Sequence, residues 1–126
     1  MSRAAWALAG LLSMAATAGA APSDAVRGEQ LYARCIACHS LAADRVGPHH
    51  CGLLGRRAGS VAGFAYSEAM KNARLVWDER TLDRFLASPT QVVPGTAMTY
   101  DGVPAAQDRA DLIAYLAAAG GRPPCR

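Results

Sequence analysis

Arg34-Cys35-Ile36-Ala37-Cys38-His39-Ser40 is the stretch that decides how this chain is read. Two thiols three positions apart, followed at once by an imidazole, form the C-x-x-C-H pattern of covalent haem attachment. Each cysteine can add across one vinyl group of the porphyrin as a thioether. His39 then falls under the iron, where a neutral ring nitrogen can serve as an axial ligand. Two other chemistries use paired cysteines. A structural zinc wants a second ligand pair at compatible spacing, and the remaining cysteines, Cys51 and Cys125, stand alone. A thioredoxin-like centre wants a βαβ setting, and no strand pattern flanks this motif. The motif therefore predicts one haem c, attached through Cys35 and Cys38.

N-terminal to the motif, Met1-Ser2-Arg3 gives a positive start, Ala4 to Thr17 is an apolar run, and Ala18-Gly19-Ala20 has the small-residue pattern of a cleavage site. Residues 1–20 read as a secretory signal peptide cut near Ala20/Ala21, since the run is shorter than the ~20 apolar residues that span a bilayer. Residues 21–126 then form a single domain exported to the periplasm, where a leftover cysteine pair tends to oxidise. Without Arg3, 12 Lys and Arg face 10 Asp and Glu, a net of +2. With no basic run and no interleaved aromatics, nucleic acid is excluded as a partner.

The spacing predicts an all-α chain. Ser23 or Asp24 can cap a first helix on which Gly28, Leu31, Tyr32 and Cys35 share a face. Gly28 inside a helix costs about 1 kcal/mol relative to alanine, so close approach of another helix is expected there. Ser40 to Gly63 has neither helical nor strand period and reads as a glycine-punctuated loop. Ser67 can cap a short helical turn to Asn72. Asp78 caps a second main helix with Leu82, Phe85 and Leu86 as its stripe, ended by Pro89. Thr90 to Pro104 reads as loop, and a last helix from Pro104 or Ala105 shows Leu112, Tyr115, Leu116 and Ala119 before Gly120-Gly121. Three main helices, one short one and long loops predict that the loops wrap something.

Haem is the natural occupant, and His39 leaves one iron face open. Met70, Met98, His49 and His50 are candidates for it. Met98 is favoured because it follows the rigid turn Pro94-Gly95-Thr96. Met70 lies near a helix start, where core packing is the default, and the two histidines are close in sequence to His39.

The chain resembles class I cytochromes c of the mitochondrial type. Cys35-Ile36-Ala37-Cys38-His39, Val46-Gly47-Pro48, Gly52-Leu53-Leu54-Gly55-Arg56, Gly63-Phe64-Ala65-Tyr66, Val76-Trp77-Asp78, Pro94-Gly95-Thr96-Ala97-Met98 and Arg109 to Leu116 carry the resemblance in order, over about Asp24 to Ala119. It implies the cytochrome c fold, His39 and Met98 as axial ligands, and a Pro48 carbonyl that accepts from His39 Nδ1. It further implies Arg56, Tyr66 and Trp77 around the haem propionates, and Phe85 and Thr96 against the cofactor. Gly28, Tyr32, Leu112 and Tyr115 match the crossing of the first and last helices.

Three departures mark this chain. Phe85 stands where the family pattern usually has tyrosine, and Met70 where it has asparagine. The drier pocket raises the potential, while a lost hydrogen bond to the methionine sulfur lowers it. Thr90, Gln91 and Ala97 replace lysines around the haem edge, leaving Arg34, which weakens steering by an acidic partner. Cys51 and Cys125 are extra, and a disulfide between them would clip the tail to the loop.

The function expected is a soluble, monomeric periplasmic one-electron carrier docking near Arg34, Ala97, Met98 and Tyr100. Its donor would be a periplasmic dehydrogenase or a quinol-oxidising complex, its acceptor an oxidase or peroxidase of the respiratory chain, with membranes met only through those complexes. An electron-entry subunit or redox sensor of a larger complex is the alternative. A haem peroxidase is disfavoured because it needs an open iron position and a distal acid/base group.

Overall fold

In the computed structural model, Met1 and residues 18–126 are described; the signal-peptide reading falls mainly on residues 2–17, outside that range. Helix α1 (Ala25–Leu31) starts at Asp24, whose carboxylate accepts from the Val26 and Arg27 amides. It ends earlier than the periodicity predicts. Tyr32–Arg34 tighten into a 3-10 turn, so Cys35 lies beyond the helix rather than on its face. Such a turn closes a helix end by i→i+3 bonds, here from the Cys35 amide to the Tyr32 carbonyl at 2.8 Å.

After a long loop, α2 (Glu68–Lys71) is capped by the Ser67 hydroxyl, and α3 (Glu79–Ala87) by a reciprocal capping box between Asp78 and Thr81. Leu82, Phe85 and Leu86 form the buried stripe of α3. Proline 89 does not simply end the helical region. Ser88 breaks the backbone at φ −158°, and Pro89 then opens a short α4 (Pro89–Val92) inside the stretch read as loop. Its fixed φ suits a first helical turn, where the missing N–H has no partner to lose.

The last helix, α5 (Ala106–Ala119), lies between the caps Ala105 and Gly120. Among the described residues there is no strand, only one antiparallel bridge between Arg57 and Val76. That bridge has consequences. The Trp77 amide donates to the Arg56 carbonyl (2.9 Å) and the Gly55 amide to the Trp77 carbonyl (2.7 Å), so two distant loop segments run side by side.

Helix α1 crosses α5, and α3 packs on α5. A Cβ on Gly28 would stand 2.0 Å from the Asp111 carbonyl oxygen, so only glycine permits this approach. Leu112, Ile113, Tyr115, Leu116 and Ala119 of α5 join Tyr32, Leu82, Phe85 and Leu86 in one buried cluster. No helix among the described residues is long and apolar enough to cross a membrane.

Candidate haem pocket

The loops and the inner faces of α3 and α5 enclose a cavity of about 440 Å³. Its wall is largely apolar, with Leu53, Leu82, Phe85, Leu86, Leu112 and Leu116. Cys35 and Cys38, both free thiols, stand on the wall with His39, Met70 lines it from α2, and Thr96, Met98 and Tyr100 line it from a later loop.

His39 is buried and its Nδ1 lies 2.8 Å from the Pro48 carbonyl. Burial lowers its pKa and the Pro48 contact opposes that only in part, so the ring is neutral at physiological pH. A carbonyl can only accept, which puts the proton on Nδ1 and leaves Nε2 as the free donor atom. Gly47 makes the close approach possible, because a Cβ there would lie 2.1 Å from His39 Cε1. The Gly47 amide in turn donates to the Cys38 carbonyl at 2.8 Å, folding the loop back over the motif.

His50 touches the same ring. The two imidazoles stack with centroids 4.2 Å apart, and the Tyr32 hydroxyl lies 2.9 Å from His50 Nδ1. Burial pushes His50 down to about 3, with the His39, Arg56 and His49 charges adding to it, and burial pushes the Tyr32 phenol up. Tyr32 therefore donates and neutral His50 accepts. Sequence reasoning placed Tyr32 only at the helix crossing and weighed His50 only as an iron ligand. Arg45, likewise unread, donates to the Ile36 carbonyl within the motif at 2.5 Å.

On the polar side, Arg56, Tyr66 and Trp77 all line the cavity. Arg56 donates to the carbonyls of His49 (2.8 Å) and Cys51 (3.2 Å). The Tyr66 hydroxyl accepts from the Val61 amide, and Trp77 packs on Phe85 with centroids 4.9 Å apart. Across the cavity wall, Gly95 takes φ +86°, a left-handed turn that suits glycine, and Thr96 Oγ1 accepts from the Met98 amide at 3.2 Å. His49 points elsewhere, bonded to the Asp44 carboxylate. Cys51 and Cys125 are joined, their Cα atoms 5.3 Å apart.

An apolar cavity holding two thiols, a neutral imidazole and a thioether, with a guanidinium, a phenol and an indole among its lining, suits a porphyrin with vinyl and carboxylate edges. Comparison with known proteins decides what that fit means. The cytochrome c family model matches residues 25–119. The chain belongs to the cytochrome c family. It is 49% identical over 105 residues to cytochrome c2 of Rhodomicrobium vannielii, covering 81% of this chain and 84% of that one. Cytochrome c of Gossypium barbadense is 44% identical over 101 residues, 77% of this chain and 91% of the relative. Among solved structures, cytochrome cH from Methylobacterium extorquens superposes with a TM-score of 0.75 at 40% identity, over 76% of this chain and 99% of that one. This cytochrome c is thus an all-α electron-transfer protein, not an enzyme, and carries haem c attached covalently through its two motif cysteines.

Proposed function

We propose that the protein is a periplasmic one-electron carrier in which His39 and Met98 ligate the haem iron. The observation that carries this reading is the fixed tautomer of His39. With Nδ1 tied to Pro48 at 2.8 Å, Nε2 is the ligand atom, and Met98 is a soft sulfur on the wall of the same cavity. Haem c supplies a reversible one-electron couple when bound.

The chain's own residues do the rest. Cys35 and Cys38 would hold the ring covalently, and a ring so held would need little reorganisation on electron transfer. Leu82, Phe85, Leu86 and Leu112 exclude water, and exclusion of water disfavours the extra positive charge of the oxidised state. Arg56, Tyr66 and Trp77 stabilise the propionate carboxylates, which need a charge or hydrogen-bond partner out of water. Thr96 holds the Met98 segment through its hydroxyl.

Export by cleavage near Ala20/Ala21 and function as a monomer complete this reading. Docking at the cavity mouth near Arg34, Ala97 and Tyr100 serves a dehydrogenase or quinol-oxidising donor and an oxidase or peroxidase acceptor. Carbon monoxide binding to the reduced holoprotein tests the ligation. The native protein should resist it and Met98→Ala should bind it at once; ready binding by the native protein would refute a methionine ligand.

A further inference from the structure

We infer that His50 is a positioning residue for the His39 imidazole, lying flat against that ring while Tyr32 holds it from behind. The inference rests on His39 being an iron ligand.

A single hydrogen bond, from Nδ1 to Pro48, fixes one point of the His39 ring. Beyond that point, the tilt of the ring is set by what packs against it, Gly47 among its neighbours. A flat neighbour constrains that tilt, and His50 is one, with planes inclined by 24° and centroids 4.2 Å apart. A neighbour can only impose a plane if its own plane is fixed. Tyr32 Oη engages His50 Nδ1 at 2.9 Å, and Tyr32 is itself buried against Tyr115 of α5, with ring centroids 5.3 Å apart.

The backbone is anchored as well. The His50 amide donates to the Ser40 and Leu41 carbonyls at 3.1 Å, directly after His39 in the chain, and the Cys51 amide donates to Leu41 at 2.7 Å. The path from the helix crossing to the ligand is therefore contiguous: Tyr115, Tyr32, His50, His39. An aliphatic side chain at position 50 would fill the same space and impose no plane. Groups that orient a metal-bound histidine also tune the metal, because the ring plane sets how the ligand orbitals meet those of the iron.

Paramagnetic NMR of the ferric holoprotein reads that plane through the spread of the haem-methyl shifts, and redox titration reads its effect on the couple. In His50→Ala the methyl spread should be redistributed and the midpoint potential displaced, while the methionine methyl signals persist. His50→Phe restores a flat ring held by packing alone, without the Tyr32 bond, and should return both readouts part of the way to the native values. An Ala variant indistinguishable from the native protein overturns the inference. If the Ala variant does not fold, His50→Gln replaces it under the same criterion. A native spectrum without methionine signals overturns the ligation itself, before any His50 variant is made.

Discussion

Glycine 47 illustrates how much of the pocket turns on single atoms. Adding one methyl group there would drive it to 2.1 Å from His39 Cε1, with both ring nitrogens at 2.6 Å. The imidazole cannot retreat without leaving Pro48, so the loop must move instead. Gly47→Ala is expected to destabilise the holoprotein by about 1–3 kcal/mol, the usual range for overpacking a filled site, read by denaturant melts monitored at the haem absorbance. Native-like stability with a native-like potential would show that the loop yields freely. Met70 offers a cleaner electronic test than Phe85. Met70→Asn places an amide dipole on a largely apolar cavity wall, which favours the oxidised iron, so its potential should fall. In Phe85→Tyr a hydroxyl polarises the pocket while also bonding the Met98 sulfur proposed as ligand, and the two effects oppose. A Met70→Asn potential equal to or above the native one would contradict the argument. At this scale the sequence was legible where partners are near in the chain: Cys35, Cys38, His39 and Pro48 fall within one short segment. His50 against His39 was not, because the stack depends on hydrogen bonds from the His50 amide to Ser40 and Leu41 that no local pattern records.

Helix α1 and helix α5 are joined by a buried carboxylate. Asp111 is almost wholly covered and accepts from the Asp24 amide (2.8 Å), from Arg27 Nη1 (2.5 Å) and from the Gln107 amide (2.9 Å). The Asp24 amide first, then Arg27 and Gln107, hold its pKa below the ordinary 3.8. A depressed pKa means the ionised form favours the fold, so this contribution is complete above the ordinary carboxylate value. It drains away as pH falls through the lower native value. Asp111→Asn should therefore be less stable than the native protein at neutral pH and lose less stability on acidification below pH ~4; parallel acid limbs would exclude the linkage. The disulfide acts on the same helix from its other end. Cys125 follows α5 and Cys51 lies in the His39 loop, a separation of 74 residues. Reduction should lower stability by about 4.5 kcal/mol in the chain-entropy model, compared by urea melts with and without reductant, since thioethers to haem survive that treatment. Gly28 announced the crossing because glycine is costly inside a helix, and the caps at Asp24, Ser67 and Asp78 announced three helix starts. Helix α4 escaped notice because Pro89 stops one helix and starts the next, and a single residue cannot signal both.

Charge at the scale of the whole molecule governs how partners are found. The chain carries a net charge of only +3. Thr90, Gln91 and Ala97 are exposed and uncharged. Arg34 is exposed but lies 3.7 Å from Asp108, which also binds Arg27, so part of its field is cancelled within the molecule. Exposed Ile36 and Val46 flank the motif beside exposed Arg45, giving the mouth a mixed apolar and basic border. Strongly steered pairs gain roughly 10- to 1000-fold in association rate at low salt. Thr90, Gln91 and Ala97 add no cation to such steering, and a few surface cations contribute weakly beyond a Debye length of about 8 Å at physiological salt. The protein's second-order rate with a quinol-oxidising complex from the same organism should therefore vary by less than about tenfold between low and physiological ionic strength. Asp108→Asn releases Arg34, leaves Arg27 on Asp111 and raises the net charge, so the same stopped-flow series should turn more steeply salt-dependent with an acidic partner. A steep native dependence, unchanged by Asp108→Asn, would mean that the docking face lies elsewhere than the cavity mouth.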